Sequence, residues 1–195
     1  MKAKWFIACL LLSSSIAVAA PAHKKSLKSG KAKAVKVSKA VKPVRVHAAE
    51  NGRLQLGSAV AMIVDQQSGE TLFSRNSANQ APIASITKLM TAMVVLDAGL
   101  GMDEAITITE ADVDWLRNSG SRLRVGTTLT RQETLQLALM SSENRAAAAL
   151  ARTYPGGTAQ FVAAMNRKAA ELGMRQSHFV DSTGLHSENV STAED

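Results

Sequence analysis

The chain has almost no cysteine: Cys9 is the only one among 195 residues, and it lies inside an apolar N-terminal stretch. One cysteine cannot form an intramolecular disulfide, and its place within the stretch, not at the end of it, argues against lipid attachment there. No thiolate nucleophile, cysteine-ligated metal or disulfide framework is therefore expected in the region that follows. An oxidising compartment is compatible with such a sequence.

The sequence also lacks an apolar run long enough to span a bilayer, which takes about 20 residues. Its first 19 residues combine a cationic start at Lys2 and Lys4, a shorter apolar core and a small-residue ending at Ala17-Val18-Ala19. This order is typical of a cleaved secretory signal peptide, and a retained membrane anchor is the alternative. We therefore predict that residues 1–19 are a signal peptide.

Lysine is nearly absent from the second part of the chain: beyond residue 42 only Lys88 and Lys168 occur. Residues 20–50 instead contain nine basic residues and one acidic residue, interleaved with Ala, Val and Ser. Because such a segment repels itself and offers little apolar surface, we predict that residues 20–53 are a disordered linker. Weak contact with an anionic envelope polymer or membrane surface is the alternative. Residues 51–195 are slightly acidic, which argues against a nucleic-acid partner.

Residues 54–195 show the patterns of a domain that mixes strands and helices. The apolar stretch 59–65, a polar turn and the alternating stretch 70–74 predict a β-hairpin. Four helices are predicted, at about 85–96, 130–140, 145–151 and 161–172. Because the strands come first and the helices follow without βαβ alternation, we expect an α+β fold and not a doubly wound sheet.

Lys88 stands three residues after Ser85 at the start of the first predicted helix. At that spacing the two side chains share a helix face, with Cβ atoms about 5–6 Å apart. A lysine in water stays protonated at neutral pH. Burial among apolar neighbours such as Ile86, Leu89 and Met90, or a second cation nearby, would lower its pKa and let the neutral amine deprotonate the serine. The pair is therefore a candidate nucleophile and base. The alternative is a helix-capping serine beside a surface lysine.

A second polar group, Ser142-Glu143-Asn144, lies at the junction of two predicted helices. The pattern S-x-N occurs four times in the chain, so only the apolar helices on both sides single out this copy. A tight loop there can project a hydroxyl and an amide into the cleft that holds Ser85. In this interpretation Ser142 relays a proton to the leaving group, and Asn144 exchanges hydrogen bonds with a substrate amide.

The two groups together match two of the three motifs, S-x-x-K, S-x-N and K-T-G, of penicillin-binding proteins and class A β-lactamases. From about Ala59 to its last residue the chain resembles the low-molecular-mass D,D-peptidases. Within them it resembles the D-alanyl-D-alanine endopeptidases of the penicillin-binding protein 7 type, in peptidase family S11, because Ser-Glu-Asn-Arg-Ala-Ala at 142–147 is followed by Tyr-Pro-Gly-Gly at 154–157.

The resemblance implies a β-lactamase/D,D-peptidase-like α+β fold, in which helices flank an antiparallel sheet beside an all-helical subdomain. It implies a penicillin-sensitive periplasmic enzyme that cuts D-alanyl cross-links between peptidoglycan stem peptides and is inhibited by β-lactams. In that enzyme Ser85 would form the acyl-enzyme, Lys88 would be its base, Ser142 would pass the proton and Asn144 would hold the peptide. No metal and no other cofactor is implied.

The chain departs from the family in one motif. Lys-Thr-Gly does not occur in it, and the nearest string, Ser182-Thr183-Gly184, matches a separate segment of the family. We therefore expect a fragment of an enzyme that lacks the C-terminal strands. Two alternatives stay open: a D,D-carboxypeptidase that removes terminal D-Ala, and, from another class, a non-catalytic wall-binding module or inactive fragment in which Ser85 is idle.

Overall fold

The computed structural model describes residues 56–195, so the predicted signal peptide (1–19) and linker (20–53) lie outside the described residues. The described part contains short β-strands and four α-helices. In chain order they are β1 (Ala61–Val64), β2 (Thr71–Arg75), β3 (Ala81–Pro82), α1 (Thr87–Asp97), β4 (Ala105–Thr107), β5 (Thr128–Thr130), α2 (Arg131–Met140), α3 (Asn144–Arg152), α4 (Gly157–Glu171) and β6 (Val190–Ser191).

β1 and β2 form the hairpin that the sequence predicts, with Ala61 opposite Arg75 in antiparallel register. Asp65 builds the turn, because its Oδ1 accepts hydrogen bonds from the backbone N–H (2.6 Å) and the hydroxyl (2.8 Å) of Ser68. Gly69 follows with a φ of 75°, a left-handed conformation that glycine adopts without steric cost. The alternating pattern and the turn chemistry therefore located this element correctly.

The remaining strands make two more antiparallel pairs, β3 with β6 and β4 with β5. Among the described residues the strands thus form three separate two-stranded sheets, where the resemblance implied one sheet flanked by helices. The β3–β6 pair positions the site, because it brings the last residues of the chain beside the segment that precedes Ser85. The backbone N–H of Ile83 extends this pairing by donating to the carbonyl of Asn189 at 3.1 Å.

The helices match the predicted ones with two shifts at their starts. A 3₁₀ turn, Ala84–Ile86, precedes α1, so the α-helix begins at Thr87 and not at Ser85. α4 begins at Gly157, four residues before the first apolar residue of its pattern, because its opening turn is small and polar and carries no periodic signal. The capping box of α2 is present: the hydroxyl of Thr130 accepts the N–H of Glu133 at 3.1 Å.

α3 lies at the centre of the helical part and packs against α1, α2 and α4. Its inward side chains are nearly all alanine, and Ala146, Ala147, Ala149 and Ala151 are fully buried. Side chains this small let the neighbouring helices approach α3 closely. Asn144, the first residue of α3, is therefore held on a rigid base.

The far end of α3 is fixed by an ion pair. The guanidinium of Arg152 donates to both carboxylate oxygens of Asp112, at 2.8 and 2.9 Å, and Asp112 is only 3% exposed. This bidentate geometry is the strong form of the arginine–carboxylate pair.

None of the helices in the described residues is long and apolar enough to cross a membrane.

Candidate active site

Ser85 and Lys88 meet at the start of α1. Ser85 lies in the 3₁₀ turn and Lys88 is the second residue of the α-helix, so the change of helix type leaves the two side chains on one face. The Nζ of Lys88 lies 3.1 Å from the Oγ of Ser85. The two residues that were predicted to act together are therefore within hydrogen-bond distance.

Lys88 has two further partners, and both are oxygens of carbonyl groups. Its Nζ donates to the side-chain Oδ1 of Asn144 and to the backbone oxygen of Thr183, each at 2.8 Å. A protonated lysine has three hydrogens and satisfies all three contacts. A neutral amine has two hydrogens and one lone pair. With its hydrogens on Asn144 and Thr183, the lone pair is directed at the hydroxyl of Ser85.

The surroundings of Lys88 favour the neutral amine. Lys88 is only 2% exposed, and burial lowers its pKa from the ordinary 10.5, while the negative charges of Asp181 and Glu143 partly oppose that change. Of the three apolar neighbours expected to bury the lysine, Met90 is itself buried, at 2% exposure, but the expectation is wrong for Ile86 and Leu89, which are 63% and 60% exposed. The polar contacts of the lysine are with Ser85, Asn144 and Thr183.

Asn144 is fixed from its other end by Ser119. The Nδ2 of Asn144 donates to the Oγ of Ser119 at 2.9 Å, which leaves Oδ1 turned toward Lys88. Ser119 belongs to a loop, residues 114–119, that is organised by the carboxylate of Asp114. That carboxylate accepts the backbone N–H groups of Leu116 (2.9 Å), Arg117 (3.0 Å) and Ser119 (2.9 Å).

Desolvation raises the pKa of the Asp114 carboxyl, but hydrogen bonds from Ser119, Arg117 and Leu116 outweigh it and lower the pKa from 3.8 to about 2. Asp114 is therefore a charged and fully engaged centre of the 114–119 loop at neutral pH. The sequence shows a turn-rich stretch here, but it does not show that Ser119 contacts Asn144.

Ser142 connects α2 to α3 and is exposed to solvent. Its φ of 53° lies in the left-handed region, which is uncommon for serine. Among the hydrogen bonds of the described residues, none involves its side chain. Ser142 thus lies two residues before Asn144 in the chain, but of the predicted site residues only Ser85 and Asn144 contact Lys88.

A turn at residues 181–184, here called the Asp181 turn, completes the site, although none of its residues was predicted to belong to the site. The Asp181 carboxylate accepts the backbone N–H of Thr183 at 3.2 Å, the hydroxyl of Thr183, and the backbone N–H of Gly184 at 3.1 Å. The turn presents the Thr183 carbonyl to Lys88. No residue type signals this contact, because any residue supplies a backbone carbonyl.

A cleft of about 380 Å³ opens beside Asn144 and Thr183. Its rim carries the side chains of Trp115 and Leu116, which are 73% and 56% exposed. Arg117 joins the two sides of the rim, because its Nε donates to the carbonyl of Leu185 at 2.7 Å. The cleft thus gives the Ser85–Lys88–Asn144 cluster an apolar neighbouring surface on which a ligand can lie.

Solved structures similar to this chain include a penicillin-binding protein and a D-alanyl-D-alanine carboxypeptidase. One of them is penicillin-binding protein D2 from Listeria monocytogenes in its ampicillin-bound form. The match covers 73% of this chain and 59% of the Listeria chain, at 32% identity and with a TM-score of 0.61. The protein therefore has the α+β fold of the penicillin-binding and β-lactamase class, as the sequence predicts.

The family follows from the sequence comparison. The model of the peptidase S11 family, described as D-alanyl-D-alanine carboxypeptidase, matches residues 44–195, and the chain belongs to this family. It is 54% identical over 141 residues to the D-alanyl-D-alanine endopeptidase of Pseudomonas aeruginosa and 49% identical over 141 residues to that of Escherichia coli. Both alignments cover 72% of this chain, which spans 46% of each relative.

Proposed function

We propose that this chain carries the reacting groups of a serine D,D-endopeptidase that cleaves D-alanyl cross-links of peptidoglycan through an acyl-enzyme. One observation carries the proposal. The Oγ of Ser85 lies 3.1 Å from the Nζ of Lys88, a lysine that is 2% exposed and whose pKa is lowered by burial. A serine becomes a nucleophile when a base is within hydrogen-bond reach, and burial of Lys88 shifts this base toward its neutral form.

In the first half of the reaction the Oγ of Ser85 attacks the carbonyl carbon of the D-alanyl residue, and Lys88 accepts the hydroxyl proton. Asn144 and Thr183 hold the two hydrogens of the neutral amine, so its lone pair faces the hydroxyl. The carbonyl oxygen becomes an oxyanion, for which the backbone N–H of Ser85 itself is a suitable donor.

In the second half the C–N bond breaks, and the leaving amine takes up a proton, which Ser142 relays from Lys88. The product is an ester on Ser85, and attack by water on this ester regenerates the serine. Asn144 keeps the peptide in place through the free donor capacity of its amide. Ser142 is exposed, so its hydroxyl is free to turn toward the leaving group once the substrate lies in the cleft.

The test is covalent labelling by a β-lactam. The chain is incubated with benzylpenicillin and its intact mass is read, together with the masses of Ser85→Ala and of Ser74→Ala, a matched serine in β2. We expect one adduct in the parent chain and in Ser74→Ala, and none in Ser85→Ala. The same measurement is made on a fusion that continues into the part of the Pseudomonas relative that this chain does not cover.

An adduct in the fusion alone would mean that the reaction needs groups beyond these 195 residues. Absence of an adduct from both proteins, with both folded, would contradict the acyl-enzyme proposal.

A D,D-carboxypeptidase is the second candidate, because the family model carries that description. The two activities are separated by offering the fusion a cross-linked muropeptide dimer and a monomeric pentapeptide in parallel. The endopeptidase proposal predicts faster release of monomers from the dimer than of D-alanine from the pentapeptide. The reverse order would favour the carboxypeptidase.

We further propose that the mature protein acts in the periplasm, with residues 1–19 as its signal peptide and the basic stretch 20–53 as a tether. A non-catalytic wall-binding module is the competing idea from another class. Deletion of residues 20–50 distinguishes them. Loss of peptidoglycan binding with acylation of Ser85 intact favours the enzyme with a tether, whereas loss of all measurable function favours the module.

A further inference from the structure

Asn189 is a fully buried polar residue outside the groups used in the proposed reaction. Its Oδ1 accepts the backbone N–H groups of Val180 (2.8 Å) and Asp181 (3.2 Å). Its Nδ2 donates to the Asp181 carboxylate at 2.7 Å and to the hydroxyl of Thr87 at 3.0 Å. The amide therefore joins the Asp181 turn to the first residue of α1, which is the neighbour of Lys88 in the chain.

The contact with Asp181 orients the carbonyl that faces Lys88. The Asp181 carboxylate accepts the N–H groups of Thr183 and Gly184, so the orientation of these peptide groups depends on where that carboxylate lies. Ser182 is held separately: its carbonyl accepts the hydroxyl of Thr91 at 2.7 Å. Loss of the Asn189 contact should therefore release the direction of the Thr183 carbonyl without unfolding the turn.

We propose that Asn189 is a positioning residue for the Ser85–Lys88 pair: its buried amide holds the Asp181 turn against α1 and so keeps the Thr183 carbonyl on the Nζ of Lys88. This inference rests on the proposed function for its consequence, since a displaced carbonyl no longer directs the lone pair of Lys88 at Ser85. Asn189 touches no reacting atom, and it acts through Asp181, Thr87 and Thr183.

A displaced turn also changes the environment of Lys88. Burial lowers the pKa of this lysine, and the charged groups that oppose the change are Asp181 on the turn and Glu143 before α3. If the turn loosens, water reaches the amine and the cost of charging it falls. This change outweighs the weaker attraction of Asp181, because burial is the largest influence on the pKa of Lys88. The titration of Lys88 in an Asn189 variant should therefore move to higher pH.

The experiment compares Asn189→Ala with Asn166→Ala. Asn166 is a matched control, because its amide also bridges backbone groups: it donates to Val162 (3.0 Å) and Phe179 (2.7 Å) and accepts the N–H of Phe179 (3.0 Å). Both substitutions remove buried hydrogen bonds and should lower stability, but only Asn189 contacts the Asp181 turn and α1. The titration of the Lys88 amine is followed by side-chain NMR, and the pH profile of penicillin acylation is measured beside it.

We expect Asn189→Ala to shift the titration of Lys88 and the acylation profile to higher pH, and Asn166→Ala to leave both unchanged. Equal titrations in two folded variants would overturn the proposal. The NMR titration does not require acylation. A shift of the Lys88 titration in Asn189→Ala, when neither the parent chain nor the fusion reacts with penicillin, would therefore refute the proposed function alone. Normal acylation with no shift would refute the positioning role alone.

If Asn189→Ala does not fold, the same question is put to Thr87. Thr87→Val keeps the shape of this buried side chain but removes the acceptor of the Asn189 amide, and Thr87→Ser keeps the hydroxyl. The proposal predicts a shift of the Lys88 titration to higher pH in Thr87→Val and none in Thr87→Ser. Identical titrations in the two variants would count against it.

Discussion

Gly184 packs so closely on Ala84 that a side chain at position 184 has no room. A Cβ atom there would collide with the carbonyl of Ala84 and lie 3.0 Å from the backbone nitrogen of Ser85. Gly184 also has a φ of 82°, and Ala84 itself has a φ of 45°, which is unusual for alanine. The Asp181 turn thus packs directly against the backbone of Ala84, the residue that precedes the candidate nucleophile.

We predict that Gly184→Ala abolishes penicillin labelling of Ser85, because the new methyl group must displace either the Asp181 turn or the 3₁₀ turn that carries the serine. Gly173→Ala is the matched control: its φ is 79°, but a Cβ there meets nothing within 4 Å. Both variants should lose about 1–2 kcal/mol of unfolding free energy to the left-handed conformation. Only Gly184→Ala should also lose reactivity, as read by intact mass and urea unfolding.

The two lysines of the described residues should titrate on opposite sides of 10.5. Burial lowers the pKa of Lys88, whereas a hydrogen bond from Lys168 to Asp97 raises the pKa of Lys168. Side-chain NMR of the chain, with signals assigned from Lys88→Met and Lys168→Met, measures both in one sample. A midpoint for Lys88 at or above that of Lys168 would show that the buried amine is not a neutral base.

The sign of each effect on stability follows from linkage. Lys168, with its raised pKa, contributes stability that is present below 10.5 and is lost as the pH rises through its folded pKa. The folded protein disfavours the charged form of the Lys88 amine, because burial lowers its pKa. Its contribution therefore increases as the pH rises from its folded pKa toward 10.5.

Asp114 should make the 114–119 loop sensitive to acid. Its pKa is about 2 in the folded protein against 3.8 in the unfolded reference, so its stabilising effect is complete above 3.8 and is lost as the pH falls toward 2. We predict that the difference in unfolding free energy between the parent and Asp114→Asn shrinks over that interval. Urea unfolding at a series of pH values measures it, with Asp103→Asn, an exposed aspartate, as control. A difference independent of pH would contradict the prediction.

Enlarging the alanine face of α3 should destabilise the protein. Ala147 is fully buried where α3 packs on its neighbours, so Ala147→Leu must push helices apart and should cost about 1–3 kcal/mol. Ala170→Leu makes the same substitution at an exposed position of α4, outside the core, and should change the unfolding free energy little. Thermal unfolding monitored by circular dichroism compares the two. Equal stability would mean that α3 is less tightly packed than its burial indicates.

Local sequence located most of the elements. Alternation and turn residues found the hairpin, apolar periodicity and the capping box at Thr130 found the helices, and Gly173 marked the end of α4 with a φ of 79°. The boundaries that shifted are those where local signals are weak, at the 3₁₀ turn before Thr87 and the polar opening of α4. The hairpin and the helices depend on neighbours within a few residues, which is why sequence alone predicts them.

The candidate site was predictable only in part. The i, i+3 spacing placed Ser85 and Lys88 together, because helix geometry fixes that distance whatever the surroundings. Asn144 was named from its motif, but its contact with Lys88 was not assigned. The burial of Lys88 was expected, but two of the neighbours named for it, Ile86 and Leu89, are exposed. Periodicity does not say which residues from elsewhere in the chain cover a helix face.

By itself, the sequence determined the family, the α+β class and the pairing of Ser85 with Lys88, since these depend on motifs and on spacing along one helix. The tertiary structure decided what surrounds the lysine. Thr183 reaches it across 95 positions of sequence through a backbone oxygen that every residue type possesses, and Asn189 holds that oxygen in place through Asp181. Such contacts depend on how distant segments pack, and residue identity does not encode the direction of a carbonyl group.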